Sequence, residues 1–104
     1  MGSKWMIKSN LKEAMKGLKK VIVNYKGTNR VIEPYLTGIN FKGNEVLRAY
    51  QVSGYSSSGD LPAWRLFLIA DINNVDVLEE YFEINDQYNP NDKAMKAILF
   101  RVER

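Results

Sequence analysis

The chain has 104 residues, 45% of them apolar, and a formal net charge of +3, which bounds it to one globular domain, residues 1–104, and excludes a disordered segment. It contains neither cysteine nor histidine. Disulfides, zinc–thiolate sites, thiol nucleophiles and Ser-His or Cys-His pairs are therefore excluded, which points to a protein that is not an enzyme and needs no cofactor.

The N-terminal stretch MGSKWMIKSN lacks the roughly 7–15-residue apolar core of a signal peptide. No apolar run approaches the roughly 20 residues of a membrane span, so a cytoplasmic location without membrane association is the expectation. A short basic helix is predicted over 9–20. Leu11, Ala14, Met15 and Leu18 share one face, Ser9 or Asn10 caps it, and Lys12, Lys16, Lys19 and Lys20 take the other side. Residues 1–30 hold eight basic groups against Glu13 alone, whereas residues 31–104 hold seven basic and eleven acidic groups. This asymmetry fits either an anionic partner or a solvated lysine face.

Three β-branched and aromatic runs follow, over 21–25, 31–36 and 45–52, joined by turn chemistry at Lys26-Gly27-Thr28-Asn29 and Lys42-Gly43-Asn44. Pro34 cannot donate to a ladder and belongs at an edge or a bulge. In the third run, alternation sets Leu47 and Ala49 on one face, with Val46, Arg48, Tyr50 and Val52 on the other. The loop SGYSSSGD lacks the GxxxxGK[ST] order of a phosphate-binding loop and leads into a strand, so it reads as a hairpin connection. Residues 63–72, the most apolar run, suggest a central strand. Val75 to Leu78 fits either a helix start or a last short strand. A C-terminal helix is predicted over 89–103, with Asn89 as cap, Pro90 in the first turn, Asp92 at the positive end of the dipole, and Met95, Ile98, Leu99 and Val102 as its buried stripe. The sum is an α+β domain: a small antiparallel barrel or half-open sheet with a helix from each end of the chain packed outside.

Several pieces, in order, resemble a WYL domain, an Sm/SH3-like β-barrel of bacterial transcription regulators and phages. VIVNYKG looks like the family's opening strand and turn. NRVIEPYLTGINFKGNEVLRAYQ is similar to its run of Arg, apolar residue, Pro and Gly leading into the signature strand. WRLFLIADINNVDVLEEYF looks like the strand and segment that follow. The resemblance covers residues 21–82. Of the Trp-Tyr-Leu signature only Leu47 remains, aligned within Glu45-Val46-Leu47, and two of the later arginine positions fall on Leu68 and Asp71. The resemblance implies a stand-alone regulatory module, of the kind found in bacteria and phages, that binds a nucleotide or single-stranded nucleic acid through arginines.

The candidate ligand residues are Arg30, Tyr35, Arg48, Tyr50 and Arg65. Guanidinium groups fork onto phosphate or carboxylate oxygens, and tyrosines stack on bases. The plain alternative pairs Arg30 with Glu33, Arg48 with Glu45 and Arg65 with Asp71, and makes the aromatics packing residues. A second function remains open on the same residues: a module that docks on a larger host or phage protein and takes no small ligand.

Overall fold

In the computed structural model, which describes residues 4–104, the chain opens with helix α1, Lys4–Gly17. Ile7, Leu11, Ala14 and Met15 form its buried stripe, so the helix starts a turn earlier than the capping residues suggest. It stops where Leu18 adopts a φ of 54°, the left-handed conformation that ends many helices. Lys19 and Lys20, read above as helical, already belong to the first strand.

Six strands follow: β1 (Lys19–Tyr25), β2 (Thr28–Asn40), β3 (Glu45–Gly54), β4 (Ala63–Leu68), β5 (Ile72–Tyr81) and β6 (Met95–Arg101). Every pairing is antiparallel, in the order β4-β3-β2-β1-β5, with β6 added to β2. The architecture is thus α+β, one helix on a six-stranded sheet.

Strand β2 is thirteen residues long and serves two neighbours on one side. Its first part, through Ile32, pairs with β1, and its second part, from Leu36 onward, pairs with β6. The change falls at Pro34, which has no N–H for a ladder bond. The β2–β3 register also slips between Pro34 and Leu36, a bulge that bends the strand. The sheet curls as a result without closing. Tyr25 of β1 packs edge-on against Phe67 of β4 at 4.8 Å, although β2 and β3 lie between those strands in the sheet. The Tyr25 hydroxyl accepts a hydrogen bond from the Leu68 amide at 3.1 Å.

The concave side is the main core, where Val21, Val23, Ile32, Leu47, Ala49, Phe67 and Ile72 are nearly or fully buried together with the stripe of α1. Burying such side chains supplies about 1.5–3 kcal/mol each, the main driving force for this fold. Lys4 fastens the start of α1 to the corner between β4 and β5, donating to the carbonyls of Ala70 at 3.0 Å and Ile72 at 2.6 Å.

Two expected elements differ. The apolar run 63–72 is not one central strand. It is edge strand β4, then a 3-10 turn at Ile69–Asp71, then the start of β5, and Val75 to Leu78 lies within that strand. The corner is fixed by Lys4 and by the Lys26 amide, which donates to the Asp71 carbonyl at 3.1 Å. The second difference is larger: the C-terminal helix over 89–103 is not formed. Asn89 and Asp92 do accept from amides two residues ahead, those of Asn91 and Ala94, each at 3.0 Å. These are Asx turns, and the chemistry that caps a helix serves a turn equally well. Met95–Arg101 then pairs with the part of β2 beyond Pro34, whose backbone groups would otherwise lack a partner on that side. Ladder pairing overrode a helical spacing of apolar residues in which Leu99 is 54% exposed.

At Gly38 β6 comes close. A Cβ there would lie 2.5 Å from the Ala97 carbonyl oxygen and 2.9 Å from the Met95 sulfur. Gly38→Ala is therefore expected to destabilise the protein by about 1–3 kcal/mol in urea unfolding and to speed amide exchange across Met95–Arg101. Unchanged stability and exchange would contradict the docking of β6 on β2.

Candidate functional site

Directly opposed residues of antiparallel strands share a face, and neighbours along a strand alternate. Arg65 opposes Ala49, Arg48 opposes Leu66, and Trp64 opposes Tyr50. Arg65 therefore lies on the concave face with Ala49 and Gln51, while Arg48, Tyr50 and Trp64 lie on the convex face. Arg30 belongs to the concave set, because it packs over Tyr25 and Phe67. The five candidate residues thus fall into two groups on opposite sides of the sheet, Arg30 with Arg65 and Tyr35 with Arg48 and Tyr50.

The convex group is a second packed cluster. Tyr35 occupies the bulge of β2 and is fully buried. Its ring meets Trp64 at 5.1 Å, Phe82 at 5.2 Å and Tyr88 at 4.6 Å, and Tyr50 meets Trp64 at 5.0 Å. Such pairs contribute about 0.5–1.5 kcal/mol beyond area burial. The Asn85 amide donates to the Tyr35 hydroxyl at 2.8 Å, and the Tyr88 hydroxyl donates to the Val102 carbonyl at 2.8 Å. Burial pushes both phenols up to about 12, so they remain neutral hydroxyls. This cluster fastens residues 82–94 across the convex face.

Arg48 is held there by Asp92, forty-four positions away in sequence. Its Nε donates to Oδ2 at 2.7 Å and its Nη2 to Oδ1 at 3.3 Å. Burial raises the proton affinity of the Asp92 carboxyl. The hydrogen bond from Arg48, the Ala94 amide and the Arg48 charge outweigh that and hold it below the usual carboxylate value. The guanidinium is thereby neutralised by a near-bidentate partner.

The concave group is different. Arg30 lies 5.1 Å from the Tyr25 ring centroid, 5.3 Å from Tyr55 and 5.7 Å from Phe67. Among the described residues its guanidinium bonds only the Thr28 hydroxyl, at 3.4 Å from Nε and 3.3 Å from Nη2. Arg65 reaches along the serine loop: Nη2 donates to Ser56 Oγ at 2.8 Å, and to Ser58 Oγ and the Asp60 carbonyl at 3.4 Å each. Its Nε donates to Gln51 Oε1 at 3.4 Å. Among the described residues neither guanidinium forms an ion pair. The acids expected beside the three arginines are engaged elsewhere: Glu33 accepts from the Tyr35 hydroxyl at 3.5 Å, Glu45 pairs with Lys8 at 3.3 Å and Asp71 with Lys26 at 3.9 Å.

Gln51 organises this end. It is fully buried, and its Nε2 donates to the carbonyls of Ser53 at 3.2 Å and Tyr55 at 2.7 Å. One amide therefore shapes the loop entrance and orients Arg65. At Gly54, φ is +96° and an added Cβ would lie 2.6 Å from the Asn29 carbonyl and 2.7 Å from the Arg30 Cα, so the two strands meet backbone to backbone beneath the arginine. The serine loop carries Tyr55 to Arg30 and Ser56 to Arg65. Lys26, already paired with Asp71, lies 5.6 Å from the Tyr25 centroid.

Sequence reasoning missed Gln51, Asp92 and Tyr88. A glutamine in an alternating strand carries no distinguishing signal, and the Arg48–Asp92 contact has no local signature. No family model, curated protein or solved structure matches the chain.

Since Asp92 has its folded pKa depressed, the ion pair stabilises the fold above the unfolded value near about 3.9 and is lost as pH falls through the folded one. Asp92→Asn is expected to cost about 1–2 kcal/mol at pH 7, below the figure for a fully buried pair because Arg48 is partly exposed. In urea titrations the gap to wild type narrows as pH drops below about 4. A gap that stays constant with pH would contradict the pairing.

Proposed function

We propose that the chain is a divergent WYL-like binding domain, without catalytic activity, that takes a phosphate-bearing ligand at the concave end of its sheet. The ligand class is a nucleotide or single-stranded nucleic acid, and the role is regulatory, in transcription or defence. The observation that carries the reading is the pair Arg30 and Arg65: two guanidiniums without carboxylate partners, at one end of one face, joined by a single loop rich in hydroxyls.

Each part suits an anion. A guanidinium has five N–H donors, and Arg30 directs only two of its nitrogens at one hydroxyl oxygen. Stacking on Tyr25 and Tyr55 steadies its plane without neutralising its charge. Ser56 and Ser58, now joined to Arg65, can turn their hydroxyls to phosphate oxygens. Tyr55, 51% exposed, offers a ring to a base. The Sm/SH3-like barrel reading is supported by the consecutive order of β1 to β4, by the bend of β2 at Pro34, and by the curl that brings Tyr25 to Phe67. Arg48 has no part in this site, since its charge is matched by Asp92.

The alternative, a module that docks on a larger protein, rests on scattered exposed apolar residues: Phe41 at 71%, Tyr81 at 67% and Leu99 at 54%. Capture of a stoichiometric protein partner that survives Arg30→Ala and Arg65→Ala would favour it.

Titration with a fluorescent single-stranded oligonucleotide and with a mononucleotide tests the main reading. Binding is expected at low salt, weakening steeply as salt rises. Arg30→Ala and Arg65→Ala are each expected to reduce affinity about tenfold and to lower the salt slope by about one. No binding of either probe at low salt would refute the proposal.

A further inference from the structure

The convex face carries a separate open pocket of about 200 Å³, lined by Arg48, Trp64, Gln87, Tyr88, Asn89 and Asp92. Its size suits a single small ring rather than a whole nucleotide. Its charge is balanced internally by the Arg48–Asp92 pair, so it holds no unmatched cation that would favour an anion over a neutral ligand.

The orientation of its polar groups follows from their partners. Trp64 Nε1 can only donate, and it donates to Gln87 Oε1 at 3.0 Å, which turns the Gln87 amino group away from the indole. The Asn91 amide likewise donates to Asn89 Oδ1 at 3.0 Å, which fixes Nδ2 as that side chain's free group. Arg48 binds Asp92 through Nε and Nη2, leaving Nη1. None of these three groups, Gln87 Nε2, Asn89 Nδ2 and Arg48 Nη1, has a hydrogen-bond partner among the described residues. Asp92 receives three donors, Arg48 Nε, Arg48 Nη2 and the Ala94 amide, while a carboxylate offers about four lone-pair positions. The pocket therefore presents several neutral or shared donors, one residual acceptor, and the indole of Trp64 as an aromatic wall.

We infer that this pocket binds an uncharged planar ring with an acceptor–donor–acceptor edge, the imide edge of a uracil or thymine base. Two ring carbonyls meet the amide and guanidinium donors, the imide N–H meets Asp92, and the ring face lies on Trp64. A cytosine edge replaces one carbonyl by an amino group and the imide N–H by a bare nitrogen, so it opposes donors with a donor and Asp92 with a lone pair. The site is independent of the Arg30–Arg65 end, because it lies on the other face and recognises no phosphate.

Uridine, which carries no phosphate, is the direct probe. In a two-dimensional NMR titration it is expected to shift the Trp64 indole N–H and the side-chain amides of Gln87 and Asn89, with a dissociation constant on the order of 1 mM or tighter. Cytidine is expected to bind at least about fivefold more weakly. Gln87 and Asn89 are exposed; Gln87→Ala, and Asn89→Asp, which keeps the acceptor for the Asn91 amide while removing Nδ2, are each expected to weaken uridine about fivefold. The Arg30→Ala, Arg65→Ala double variant is expected to bind uridine as wild type does. Absence of shifts at about 10 mM uridine, equal binding of cytidine, or loss of the uridine shifts in the double arginine variant would each overturn the inference.

Discussion

The architecture depends on a single residue in the middle of its longest strand. Pro34 has no N–H to give, so β2 cannot carry an unbroken ladder on the side that β1 and β6 share. The strand answers by changing neighbours there and by bulging toward β3. The bend curls the sheet until Tyr25 reaches Phe67. It also frees the second half of β2 to take β6, and it turns Tyr35 onto the convex face, where its ring gathers Trp64, Phe82 and Tyr88. Both packed clusters of the molecule follow from that one constraint.

The two clusters give the arginines different fates. On the convex side, residues 82–94 fold back over the sheet and supply Asp92, so Arg48 is absorbed into structure. On the concave side no carboxylate of the described residues pairs with Arg30 or Arg65. Arg30 is held by rings and a hydroxyl, and Arg65 by hydroxyls, a carbonyl and the Gln51 amide. Contacts of this kind orient a guanidinium while leaving its charge unmatched. The serine loop, which contains no phosphate-loop motif, gains its interest from this: its hydroxyls already sit on a guanidinium.

How much of this was legible in the sequence varied with the range of the interaction. Leu11, Ala14 and Met15 of the α1 stripe, the early strands and the special role of Pro34 follow from local spacing and from the missing N–H, whereas Ile7 joins the stripe in place of Leu18. The C-terminal segment did not follow. Asn89 and Asp92 make Asx turns with the chemistry of helix caps, and only the unpaired edge of β2, distant in sequence, decides for a strand. Site residues showed the same division. Arg30, Arg48 and Arg65 were visible as residue types, but alternation alone could not say that Arg48 would meet an aspartate forty-four residues onward. Nor could it say that Gln51 would be buried as the organiser of a loop.

The central claim is that the unmatched charges of Arg30 and Arg65, and not that of Arg48, form the anion site. Arginine Nε–H resonances report on each guanidinium separately, so an NMR titration with pyrophosphate at low salt examines it most directly. The account predicts that the Arg30 and Arg65 signals move together along one binding curve while Arg48 stays fixed on Asp92. Movement of Arg48 alone, or no movement of any of the three, would contradict it.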